Sequence, residues 1–255
     1  MANKNLSEKQ AIQESEYFIP YHYIPEKDGH GFSQTLFWSW GMRYFAGIEL
    51  VLAQLRQLSF SSVIDIGCGD GRFLREVSKA FPGKSLLGVD YSGAAIALAK
   101  ALNPDLNYVC LDIANDETPG QFDVATMIEV LEHIPPNEID SFLEGVSKSI
   151  TSNGTLILTV PHENKRVQNK HFQHFSSQKL RKILASHFHV EHMMPFDRIS
   201  KIDARLSRIL GYQGNNYIKK KKKLNGFLYK RILRNCFEEQ PENRCGRLLA
   251  IAKKA

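Results

Sequence analysis

Val63-Ile-Asp-Ile-Gly-Cys-Gly-Asp-Gly71 is an apolar run that ends in a turn with three alternating glycines. Ser62 to Asp65 reads as a short buried parallel strand. Gly67, Gly69 and Gly71 allow a tight turn and close approach of a ligand to the backbone, because glycine accepts positive φ and has no Cβ. Downstream, Arg72 to Ala80 reads as a helix, and Phe81-Pro-Gly83 leads into a second strand, Ser85 to Asp90. A βαβ unit is thereby complete. A dinucleotide-binding fingerprint would need its third glycine at position 72, where Arg72 stands, and it leaves Asp65 without a role.

The alternation continues outward. Gly93 to Ala101 reads as a helix, and Asn107 to Leu111 as a strand leading to Asp112. Phe122 to Met127 is a fourth strand. Pro136 to Ile150 is an amphipathic helix stopped at Asn153-Gly154, and Thr155 to Val160 is a β-prone run. Ile48 to Leu58 and Ser177 to Ser186 carry helical spacing, and His189 to Met194 and Arg247 to Ala252 read as late strands. The expected fold is α/β: a doubly wound, Rossmann-like seven-stranded sheet, mostly parallel with an antiparallel last strand, and with ligands beyond the carboxyl ends of its strands. The expected organisation is an aromatic extension over 1–45, a core over 46–196, a basic insertion over 197–243 and a final core strand over 244–255.

The stretch Val63 to Gly71 resembles the first motif of the class I S-adenosylmethionine (SAM) dependent methyltransferases, and the resemblance runs from about Ser62 to Pro161. It implies SAM as cofactor and S-adenosylhomocysteine as product. It sets Asp65, Gly67, Cys68, Gly69 and Gly71 beside the methionine part of SAM. Asp90, with Tyr91 after it, falls on the ribose hydroxyls, a task suited to an acceptor-only carboxylate with two oxygens. Asp112 falls near the adenine amine, with Ile113 on the ring, and Glu129 joins the cofactor set. Arg43 could pair with the SAM carboxylate in a bidentate fork.

The acceptor side should follow the fourth and fifth strands. Glu129-Val-Leu-Glu132-His133, if helical, puts Glu129 and His133 one turn apart with Glu132 close by. Such an acidic-plus-histidine stretch resembles the ubiquinone-pathway methyltransferases. It is also similar to the metal-dependent enzymes that methylate 2′-hydroxyls at small-RNA 3′ ends, whose further histidine finds a partial match in His171-Phe-Gln-His174. Glu129, Glu132, His133 and His174 are therefore the metal candidates. No metal is expected, because the spacing before His174 departs from the RNA enzymes and a sulfonium donor needs no metal to activate its methyl group. His133, His162 and His174, with His171 beside them, are candidate bases, since imidazole titrates near ~6.5.

With 43% hydrophobic and 24% charged residues, the composition is that of a folded globular protein. Four cysteines without a CxxC pair suit a reduced, cytoplasmic chain, and no apolar run approaches the ~18 residues of a membrane span. Tyr17 to Tyr23 and Phe37 to Trp40 are aromatic enough to serve as a cover over the cleft. Much of the +6 charge sits at Lys219 to Lys223, a patch suited to the inner membrane surface, to RNA or to a phosphate- or lipid-linked acceptor. The expected activity is O-methylation of a sugar, glycan or other small hydroxyl acceptor. The alternatives are a metal-dependent RNA 2′-O-methyltransferase and a noncatalytic RNA- or membrane-binding module on a SAM-binding fold.

Overall fold

The strand β3 (Ser62–Ile66) is buried from Val63 to Ile66, with Val63 in one apolar cluster and Ile64 and Ile66 in another. Both faces of the sheet must therefore be covered. The computed structural model describes residues 7–16, 22, 25–26, 33–34, 41–210 and 222–255. An opening helix α1 (Glu8–Glu16) and a two-residue antiparallel pairing of β1 (Pro25–Glu26) with β2 (Ser33–Gln34) precede the core helix α2 (Gly41–Leu55).

After β3 come α3 (Arg72–Ala80), β4 (Ser85–Asp90), α4 (Gly93–Leu102), β5 (Asn107–Cys110), β6 (Phe122–Ile128), α5 (Ile139–Lys148), β7 (Ile150–Pro161), α6 (Ser177–Leu184) and β8 (Phe188–Arg198). Helices α7 (Lys201–Leu210) and α8 (Lys222–Phe237) then lead to β9 (Cys245–Lys254). The seven-stranded sheet runs β5-β4-β3-β6-β7-β9-β8. Its first five strands are parallel, and β9 is antiparallel to both neighbours, so β8 shares the common direction. The expected mixed sheet is the one observed. Phe45 of α2, Leu74 of α3, Ile96 of α4 and Ile232 of α8 cover one face, and Leu143 and Val146 of α5 with Leu180 and Leu184 of α6 cover the other.

Three local expectations are corrected. Helix α5 ends at Lys148, because Ile150 already pairs with Phe122; the register then shifts between Phe122 and Val124, so Asn153-Gly154 lies in an irregular stretch of β7 and stops no helix. Glu129 to His133 is not an α-helical turn. The Glu129 N–H still bonds Thr159 O at 2.9 Å as the end of the β6–β7 pairing, Glu129 adopts φ 56°, and only a 3-10 turn over Leu131–His133 follows. The stretch 197–243 is also in part core, since Leu228, Tyr229, Ile232 and Cys236 of α8 are buried in the same cluster as α2.

Candidate active site

The carboxyl ends of the parallel strands collect the glycine turn, Asp90, Asp112, Glu129 and His162 along one edge of the sheet. Gly67, Gly69 and Gly71 take φ of 69°, 56° and 80°, a region that costs other residues strain. The Gly67 and Cys68 N–H groups donate to Val89 O at 2.8 and 3.0 Å, which ties the turn to β4. A Cβ on Gly67 would come 2.6 Å from Val130, and one on Gly71 would meet the Tyr108 hydroxyl.

Asp90, 6% exposed, accepts the Gly69 N–H on Oδ2 at 3.0 Å and the Ser92 N–H on Oδ1 at 2.9 Å. Burial pushes its carboxyl up to about 6 against the pull of those two N–H groups. Asp65 accepts the Thr126 hydroxyl at 2.7 Å; burial raises it to about 7, that bond opposes the rise and the Asp90 charge adds to it. Asp112 accepts the Ala114 N–H at 3.3 Å and the Asn115 amide at 2.9 Å, which holds the turn carrying buried Ile113. Tyr91 is half-buried, and its carbonyl accepts the Cys110 thiol at 3.5 Å.

Carbonyls fix the histidine tautomers at the other end of the edge, because a carbonyl oxygen only accepts. His133 donates Nδ1–H to Lys170 O at 3.0 Å, which leaves a lone pair on its Nε2. His174 donates Nδ1–H to Lys165 O at 2.9 Å, so its Nε2 accepts the Nδ1–H of His171 at 2.8 Å and the Nε2 lone pair of His171 stays available. Burial pushes His133 down to about 4 and His171 to about 2, and it lowers His174 as well. Ligand atoms of Glu132, His133 and His171 all lie within 4.8 Å of one another. Glu132 is 0% exposed with neither carboxylate oxygen hydrogen-bonded, and burial, then the Glu129 charge, raises its pKa well above the usual carboxylate range.

Three expected roles meet obstacles in this geometry. His162 accepts the Asn164 N–H on Nδ1 at 3.0 Å and donates Nε2–H to Glu242 at 3.2 Å, so neither nitrogen is left to act as a base. His174 likewise has both nitrogens engaged and serves to orient His171, which takes the place expected for His174 beside Glu132. Arg43 is ion-paired with Asp197 instead of presenting a free fork to an anion, and Lys165 and Arg247 join the same carboxylate at 3.1 and 3.2 Å.

A family model described as a methyltransferase domain matches residues 64–156, from β3 into β7. Over that stretch the chain is similar to methyltransferase domains. The mitochondrial ubiquinone biosynthesis O-methyltransferase of Schizosaccharomyces pombe is 35% identical to it over 108 residues, 40% of this chain and 38% of that protein. The ubiquinone biosynthesis O-methyltransferase of Vibrio atlanticus is 28% identical over 178 residues, 67% of this chain and 73% of that protein. The chain thus spans well under half of the first of these relatives. The N-methyltransferase NodS of Bradyrhizobium japonicum, solved with S-adenosylhomocysteine, shares the fold with a TM-score of 0.52 at 15% identity, over 84% of this chain and 87% of NodS. A TehB-like SAM-dependent methyltransferase of Corynebacterium glutamicum does so with a TM-score of 0.55 at 14% identity, over 82% and 88%.

The cleft has further polar neighbours that no local sequence motif marks. Asp70, fully buried, accepts the backbone N–H of His22 at 3.3 Å and its Nδ1 at 3.0 Å, and His22 stacks on Tyr44. Helix α1 reaches both ends of the cleft: Lys9 donates to His171 O and lies 4.9 Å from the Phe172 ring, while the charge of Glu14 acts on Asp90, Tyr91 and Cys110. A polar helix thus lies over the cleft. Apart from His22, the aromatic stretches 17–23 and 37–40, together with Lys219 to Lys221, lie outside the described residues. Among the described residues no helix is long and apolar enough to cross a membrane.

Proposed function

We propose that the protein is a SAM-dependent O-methyltransferase whose acceptor hydroxyl docks at Glu132, His133 and His171. SAM would lie along the glycine turn, with Asp90 toward the ribose and Asp112 with Ile113 toward the adenine, and it supplies a methyl group on a sulfonium. The acceptor is a sugar, glycan or other small hydroxyl compound. Two relatives named as O-methyltransferases support oxygen as the acceptor atom. The observation that carries the reading is the buried Glu132 carboxylate with no hydrogen-bond partner on either oxygen, beside two imidazole lone pairs. Glu132, made more basic by burial, takes the hydroxyl proton as the acceptor oxygen bonds to the methyl carbon and the carbon–sulfur bond breaks. His133 and His171, held neutral, orient the acceptor by accepting from neighbouring hydroxyls.

A metal-assisted form of this reaction is favoured by the same donors. One carboxylate and two neutral imidazoles are a ligand set for a borderline divalent cation, whose charge would also relieve the buried Glu132. In that form Glu132, His133 and His171 hold the ion, which would lower the pKa of the acceptor hydroxyl. Chelation separates the two. If Glu132 is the base, labelled methyl transfer to a pool of hydroxyl acceptors continues in chelator, and Glu132→Gln lowers kcat by about 10²–10⁴-fold with SAM affinity unchanged. If a cation is held, activity disappears in chelator, returns with added divalent metal, and needs a higher metal concentration in His171→Ala. A protein that binds SAM but transfers no methyl group under either condition would leave a noncatalytic module and sink both forms.

A further inference from the structure

Eleven of the chain's 33 basic residues but only one of its 27 acidic residues lie in residues 199–237, so this stretch carries more than the whole net charge of +6 and the remainder is net negative. The one acid, Asp203, is 1% exposed; it accepts from Arg231 and, at 2.8 Å, from Asn235, and so locks α7 to α8. The buried face of α8 packs into the core through Leu228, Tyr229, Ile232 and Cys236. Its outer face is different. Lys223, Phe227, Lys230, Arg234 and Phe237 are all exposed, and their spacing of four and three residues makes one stripe of basic and aromatic side chains. Helix α7 repeats the pattern with exposed Ile202, Arg205 and Ile209.

Among the described residues, Ile199, Ile202, Ile209, Phe227 and Phe237 make up most of the exposed large apolar side chains, at 45–58% exposure. Single exposed apolar residues are ordinary, but their concentration on and just before one basic helix pair is not. We propose that the outer faces of α7 and α8 dock the protein on an anionic phospholipid surface. Apolar side chains enter the boundary between headgroups and acyl chains, while the lysines and arginines meet the phosphates, as in helices that lie in a membrane interface. Three isoleucines among the five apolar residues favour lipid over RNA, because an aliphatic side chain offers a base no ring to stack on. The inference does not depend on the reading of the catalytic groups.

The test is co-sedimentation of the full chain with phosphatidylcholine vesicles that contain or lack phosphatidylglycerol. The protein sediments with the anionic vesicles only, and salt releases it. The triple variant Lys223→Gln, Lys230→Gln, Arg234→Gln binds about a hundredfold more weakly, at about fivefold per charge. Ile202→Ser, Ile209→Ser and Phe227→Ser together also weaken binding, and all these variants keep wild-type affinity for S-adenosylhomocysteine, since every changed side chain is exposed and lies outside the cleft. Absence of binding to phosphatidylglycerol vesicles overturns the proposal. So does vesicle binding that is unchanged by the three serines, or tighter binding to a labelled oligouridylate than to the vesicles.

Discussion

Asp90 already accepts two backbone N–H groups, one on each oxygen, so a ligand's hydroxyls would add to carboxylate oxygens held in place by the turn. Its pKa near 6 has a sign that can be tested. Because the folded value lies above the ordinary carboxylate value, its contribution to stability is present below about pH 4 and is lost as pH rises through about 6. Hydroxyls that donate to the carboxylate reverse that preference, so SAM affinity is expected to fall by up to about tenfold per pH unit below 6, with proton release on binding. Calorimetry in buffers of different ionisation enthalpy measures this, and an affinity flat from acid to neutral pH would refute the assignment. Asp90→Ala should weaken SAM by about one to two decades. Asp90→Asn should be nearly as damaging, because its amide NH₂ faces either the Gly69 or the Ser92 N–H. The strand-end acids were legible in sequence because each sits in a local motif. The histidine roles were not, because the tautomers are set by the carbonyls of Lys165 and Lys170, and nothing in the order of residues says which imidazole keeps a lone pair.

Helix α5 presses Gly145 against the carbonyl of Ile113, and a Cβ there would collide with that backbone oxygen. Gly145→Ala must therefore push apart α5 and the turn expected to face the adenine, at about 1–3 kcal/mol by overpacking. SAM affinity should drop about tenfold, whereas Gly93→Ala, with nothing within 4 Å of the added Cβ, should leave affinity unchanged. Equal affinities in the two variants would detach Ile113 from the cofactor. The parallel strands and the glycine turn could be read ahead because apolar period and glycine spacing carry them. The turn at Glu129 could not, since a tertiary bond from its N–H to Thr159 overrides the helical spacing of the acids and His133. The core side of α8 was also hidden, because its buried Leu228, Tyr229, Ile232 and Cys236 are interleaved with basic residues.

Across the whole molecule, buried Asp197 fastens four pieces of chain: it lies on β8 and holds Arg43 of α2, Lys165 after β7 and Arg247 of β9. Burial works against its ionisation, yet Arg247, Lys165 and Arg43 together hold its pKa far below the ordinary value. The stability it contributes is thus present above about pH 4 and is lost as pH falls toward the depressed value. Asp197→Ala strands the buried Arg247 cation and should cost about 3–5 kcal/mol in chemical denaturation. A loss under 1 kcal/mol would show that the cluster is only surface electrostatics. The sheet order has a consequence for how the molecule comes into being. Strand β9, made after β7 and β8, is inserted between them, and among the described residues those two do not pair with each other. Until it arrives, the nascent chain exposes the unpaired edge of β7 and cannot seat β8, so the sheet closes only after translation has passed it. For that interval the emerging polypeptide is a natural client for a holding chaperone, and a stall in synthesis just before Cys245 would leave an aggregation-prone half-sheet.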